Sequence, residues 1–103
     1  MALTCALAAC GEPLDKKAML AGCEASAVVV RPDLSGTSPE YRAVVGREAI
    51  VRYLPASGDG RIVVKCKVDT AGRLRRIKVG EDRLIGEAFE SARQTFADAA
   101  RGR

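Results

Sequence analysis

Apolar and polar residues alternate strictly over one stretch of this chain, and that stretch organises the reading of the rest. Ile62, Val64, Cys66 and Val68 alternate with Val63, Lys65, Lys67 and Asp69, the period of two expected of a strand buried on one face. Asp69-Thr70-Ala71-Gly72 supplies turn chemistry, with Gly72 free to take a positive φ. Leu74 to Val79 then reads as a return strand, with Ile77 and Val79 on one face. After Gly80 the period lengthens. Ile85, Ala88, Phe89, Ala92, Phe96 and Ala99 recur at spacings of three and four, one apolar stripe of a helix. Glu81 and Asp82 lie near its start, where the helix dipole favours acids. Gly102 ends it, and Phe89 and Phe96 are the expected anchors on the hairpin.

The first half of the chain is patterned less sharply. Glu12 to Gly22 predicts a short helix, with Pro13 at the first position, Ala18, Met19 and Leu20 as apolar residues and Gly22 as C-cap. Ala27 to Val30 is a β-branched run halted by Pro32, which predicts a strand. Residues 32–38 form a loop on turn chemistry. Ser38-Pro39-Glu40 has the form of a helix start, so Tyr41 to Leu54 is expected to be helical; the competing reading splits it into two short strands at Gly46. Pro55 to Gly60 is a loop. The fold class is therefore α+β: a small antiparallel sheet, made of the hairpin and a possible third strand at Ala27–Val30, packed against two or three helices. Residues 23–103 form one domain, preceded at 1–22 by a signal segment or a short N-terminal helix.

Composition sharpens this picture in two respects. The chain has 103 residues, 48% hydrophobic but only 4% aromatic and without Trp, so aliphatic side chains must build a modest core. No apolar run approaches the length of a membrane-spanning helix. The net charge of +4 is unevenly spread: Arg61, Lys65, Lys67, Arg73, Arg75, Arg76 and Lys78 face Asp69 alone between Gly60 and Gly80. A local basic face suits an acidic partner. Charged residues on a sheet also guard it against edge-to-edge pairing.

The cysteines bear on compartment. Leu7-Ala8-Ala9-Cys10-Gly11 resembles a bacterial lipobox, which marks Cys10 as the expected lipid anchor of an exported protein. Cleavage before Cys10 would remove Cys5 and leave Cys23 and Cys66 as a pair. A bridge between them closes a loop of about 44 residues and stabilises by about 4 kcal/mol in the chain-entropy model; the alternative is two buried thiols acting as small hydrophobes. The absence of His argues against a zinc centre.

Residues 60–74, Gly60 to Leu74, resemble the C-terminal domain of TonB-like energy transducers. The matching parts are Gly60 before an alternating strand, the turn Val68-Asp69-Thr70-Ala71-Gly72, the return strand Ile77-Lys78-Val79 and the helix segment Ala88-Phe89-Glu90-Ser91-Ala92. Arg52-Tyr53-Leu54-Pro55 is similar to the family's Tyr-Pro element, so the likeness covers about residues 50–97. It implies a TonB C-terminal-like fold and a periplasmic, protein–protein interaction role in TonB-type envelope transport. In that role a sheet edge accepts an extended peptide by strand addition. The expected surface is the hairpin's outer strand, with Arg73, Arg75, Arg76 and Lys78 as binding residues for an envelope protein. A strand-paired homodimer is compatible with an exposed edge.

Two other function classes fit fewer features of the sequence. A cytosolic nucleic-acid-binding protein could use the basic hairpin, but the chain lacks the aromatic platforms that stack single-stranded bases. An enzyme is the weakest reading. There is no His, no nucleophile beside a recognisable base and no phosphate-cradling glycine loop, and Asp59 and Asp69 are explained by turns. The expectation is a non-catalytic module without cofactor.

Overall fold

The computed structural model describes residues 14–55 and 60–102, so the expectations for Cys5, Cys10 and Pro13 lie outside the described residues. The architecture is α+β. A five-stranded antiparallel meander runs in the spatial order of the sequence: β1 (Tyr41–Val45), β2 (Glu48–Tyr53), β3 (Ile62–Val68), β4 (Leu74–Val79) and the two-residue β5 (Asp82–Arg83). Helices α1 (Lys16–Val30) and α2 (Gly86–Ala100) cover one face of the sheet. Neither is long and apolar enough to cross a membrane.

The hairpin expected at β3 and β4 is present. Asp69 organises its turn: its Oδ1 accepts from the Ala71 and Arg73 N–H groups at 2.9 and 3.0 Å, while Gly72 takes φ 82°. Arg75 has no partner in the register, because Val68 faces Leu74 and Lys67 faces Arg76. That bulge adds a residue on β4 and re-aims its side chains.

Three expectations are corrected. The short helix and the strand at Ala27–Val30 are one continuous helix, capped by Asp15, whose Oδ1 accepts from the Ala18 N–H at 2.7 Å. Met19, Gly22, Cys23, Ser26 and Ala27 form its buried stripe, and this three-and-four spacing outweighs the local β preference of the valines. Gly22 is consequently not a C-cap. It sits mid-helix where a Cβ would lie 2.8 Å from the Phe96 ring, so its function is to let α2 approach α1.

The second correction concerns Tyr41 to Leu54, which is a hairpin rather than a helix. Gly46 takes φ 62° at its turn, and Ala49, Val51 and Tyr53 are buried in alternation. These two strands, and not Ala27–Val30, extend the sheet beyond the central hairpin. Third, the last helix starts at Gly86, so Glu81 and Asp82 belong to a turn and to β5. Its buried residues are Ala92 and Phe96, with Phe89 half-buried; Ile85 is 76% exposed.

The core lies between the helices and the sheet. Val64, Cys66, Val68, Leu74 and Ile77 meet Met19, Cys23, Ala27, Ala92 and Phe96 there. Cys23 on α1 and Cys66 on β3 are fully buried, with sulfurs 2.12 Å apart and Cα atoms 5.8 Å apart, the arrangement of a disulfide. The buried Ser26 hydroxyl donates to the Ala92 carbonyl at 3.0 Å and ties the helices together.

Candidate interaction site

β4 divides the four basic residues expected to bind a partner. Arg76 and Lys78 face away from the helices, opposite Lys67 and Lys65 of β3. Arg73 and Arg75 border α2. They line a cleft of about 320 Å³ together with Leu74, Phe89, Glu90 and Arg93. A second hollow of about 230 Å³ shares Arg75 and Phe89 with the first and is bounded by Arg83, Leu84, Ile85 and Gly86. The two form a groove between the outer edge of β4 and α2.

The groove follows from local structure. The bulge at Arg75 leaves that residue without a cross-strand partner. β5 covers only the far end of β4, pairing at Lys78 and Val79, and the Leu84 N–H donates to the Ile77 carbonyl at 3.0 Å. Leu74 to Arg76 therefore have no strand on their outer side among the described residues. The other end of the sheet is β1, where Tyr41 is 46% and Val45 66% exposed.

Electrostatically the groove is cationic. Arg73, Arg75, Arg83 and Arg93 surround it, with Glu90 as the carboxylate lining it. Glu90 is engaged by Arg93, whose Nε donates to it at 3.0 Å. Arg73 is oriented by Asp69, whose Oδ2 accepts from its Nε at 3.2 Å. The Asp69 carboxyl is held below the ordinary carboxylate range, first by the Arg73 N–H and then by the Ala71 N–H and the Arg73 charge, against the opposing cost of burial. Phe89 and Leu74 form the apolar floor. Such a groove can hold an extended acidic segment: arginine offers forked donors to carboxylates, and Phe89 offers a surface for an apolar side chain.

Elsewhere, Glu40 accepts from Arg52 and Arg61, and these hydrogen bonds, Arg61's foremost, keep its carboxyl low. Arg42 reaches across to Glu24 of α1 at 2.7 Å. Both pairings brace β1 and the entry to β3. Among the described residues no group of three or more His, Cys, Asp or Glu side chains is placed to hold a metal ion.

Sequence reasoning missed Arg83, Arg93, Leu84 and Ile85 as groove residues, and took Phe89 as core alone. Their signal was weak but present: Ile85, Phe89 and Arg93 recur every four residues along one line of α2. No family model matches the chain, and neither a curated protein nor a solved structure does.

Proposed function

We propose that this protein is a non-catalytic interaction module of the bacterial cell envelope that takes an extended, acidic segment of a partner protein into the groove between β4 and α2. The observation that carries the reading is the arginine-lined groove around Phe89, set against backbone at Leu74–Arg76 that has no outer strand among the described residues. Strand addition at such an edge draws affinity from main-chain hydrogen bonds and specificity from side-chain pockets. Charge complementarity sets orientation and association rate.

The likeness of residues 50–97 to TonB C-terminal domains supports a role in TonB-type envelope transport. The lipobox-like Leu7–Gly11 supports export with a lipid anchor on Cys10. The Cys23–Cys66 geometry suits an oxidising periplasm, where the bond persists. Catalysis is disfavoured because the groove's carboxylate is already engaged by Arg93.

The test is a titration of the isotopically labelled full chain with an alternating Glu–Val octapeptide, followed by amide chemical shifts. Shifts centred on Leu74, Arg75, Phe89 and Arg93, and lost in the R73Q/R75Q variant, support the assignment. Shifts that avoid the groove refute it. Export is tested by intact mass from the native host: loss of residues 1–9, a diacylglycerol adduct on Cys10 and two protons gained on reduction. An unprocessed chain contradicts the envelope location.

A further inference from the structure

The face of the sheet turned away from the helices is covered by neither helix, and its charges are arranged against its own stability. Lys65 of β3, Lys78 of β4 and Arg83 of β5 lie directly opposite one another in register. None of the three is ion-paired among the described residues. In the adjacent row Lys67 faces Arg76, and there Glu48 intervenes, opposite Lys67 and 3.9 Å from the Arg76 guanidinium. Neighbouring strands stand about 4.8 Å apart, and successive same-face residues about 7 Å. Among the described residues, five cations thus occupy a patch about 10 Å by 7 Å, with one carboxylate beside them. Like charges directly opposite in a sheet destabilise it, so an external anion bound against this row of three would offset their repulsion.

The rest of the same face is of a different kind. Tyr41, Ala43 and Val45 of β1 lie opposite Arg52, Ile50 and Glu48 of β2, and Val63 of β3 adjoins Arg52. Tyr41 and Val45 are largely exposed, and Arg52 stacks 4.9 Å from the Tyr41 ring centroid. One side of the face is therefore cationic and the other predominantly aliphatic, with a single aromatic ring already occupied by an arginine.

We infer that this face is a contact surface for an anionic phospholipid bilayer, with Lys65, Lys67, Arg76, Lys78 and Arg83 against the headgroups and Tyr41, Val45 and Ile50 at the interface beside them. The charge complementarity resides in the unpaired row. Single-stranded nucleic acid fits the face less well, since base stacking needs free aromatic rings and Tyr41 stands at the far edge beneath Arg52. The groove between β4 and α2 is lined by Arg73, Arg75 and Arg93, and Arg83 borders both surfaces, so the two are separated by substituting Lys65 and Lys78 on one and Arg73 and Arg75 on the other.

The experiment is vesicle co-sedimentation of the full chain carrying Cys10→Ser, so that no acyl chain contributes. Phosphatidylcholine vesicles are compared with vesicles that also contain phosphatidylglycerol. The chain is expected to sediment with the anionic vesicles only, and less as salt rises. Each cation near an anionic surface contributes about five-fold in affinity, so K65Q/K78Q is expected to weaken binding about 25-fold. That variant removes a like-charge opposition and should melt no lower than the parent, which separates lost binding from lost folding. R73Q/R75Q, confined to the groove region, should leave vesicle binding unchanged. Equal binding to both vesicle types, or full binding by K65Q/K78Q, overturns the inference. Tighter retention by a single-stranded oligonucleotide than by the vesicles at the same salt assigns the face to nucleic acid and overturns it as well.

Discussion

Breaking the link between Cys23 and Cys66 is expected to remove a large part of this domain's stability. The two residues are 43 positions apart, so a bond between them closes a loop spanning the second half of α1, β1, β2 and most of β3. In the chain-entropy model that closure stabilises the folded state by about 4 kcal/mol, against a total of roughly 5–15 kcal/mol for a typical domain. Both sulfurs are fully buried between the helix and the central strand, so reduction also leaves two thiols in a space packed for a bond. The assay is guanidinium denaturation of the full chain with and without reductant. Reduction should lower stability by about 4 kcal/mol and the melting temperature by roughly 15–30 °C for a domain this small. Because the cross-link acts on the unfolded chain, the denaturant slope should also rise on reduction, as the released chain expands. The C23A/C66A variant should be indifferent to reductant. A loss below about 1 kcal/mol would refute the loop-entropy reasoning. Equal sensitivity in C23A/C66A would locate the stabilising bond elsewhere.

Further predictions concern packing and protonation. Gly22→Ala places a methyl 2.8 Å from the Phe96 ring and should cost about 1–3 kcal/mol by overpacking in thermal melts, with partial rescue by Phe96→Leu. Asp69→Ala removes the acceptor of two backbone N–H groups in the β3–β4 turn and should cost about 1–2 kcal/mol, whereas Asp69→Asn should retain most of it. Since the Asp69 pKa is lowered by folding, the unfolded chain binds its proton first. Its stabilisation is therefore present above about pH 4 and is lost as pH falls through the lower folded value. Acid denaturation of Asp69→Asn should be correspondingly shallower. The Tyr53 phenol is pushed up to about 12, mainly by burial and secondarily by Glu24, with Arg42 opposing. Below about pH 10, its ordinary pKa, the phenol is neutral in both states, so stability should decline only as pH rises from there to about 12, with Tyr53 ionising late in an ultraviolet titration.

The residues most legible in the sequence were those whose local pattern and tertiary role agree. Val64, Cys66 and Val68 alternate because one face of β3 is buried, and Asp69 to Gly72 turn because Asp69 satisfies two N–H groups by itself. Ala27 to Val30 misled because its β-branched residues were judged by local preference, while the stripe that takes in Met19, Cys23, Ser26 and Ala27 and leaves Val29 exposed is visible only when the helix is traced through Gly22. Gly22 misled for the same reason: a glycine that admits the Phe96 ring and a glycine that caps a helix look alike in sequence. At Tyr41–Tyr53 the helix-start signature of Ser38-Pro39-Glu40 competed with Gly46, whose positive φ decided for a hairpin.

The candidate site was legible in half. Arg73, Arg75, Arg76 and Lys78 were recognisable as basic residues of one strand, but alternation along β4 and the bulge at Arg75 send them to two surfaces. Pairing of Arg83 with Lys78 and the approach of Phe89 and Arg93 depend on β5 and α2 folding back over β4. The first turns on a two-residue strand too short to show a period, and the second on long-range packing that the four-residue spacing of Phe89 and Arg93 only hints at.

Site-specific photocrosslinking in the native host tests the central claim most directly, with a photoreactive amino acid at position 75 in the groove and, as control, at position 81 in the turn before β5. The account predicts one discrete protein adduct from position 75, lost when Arg73 and Arg93 are changed to Gln, with no such adduct from position 81. No adduct from position 75, or the same adduct from both positions, would contradict it.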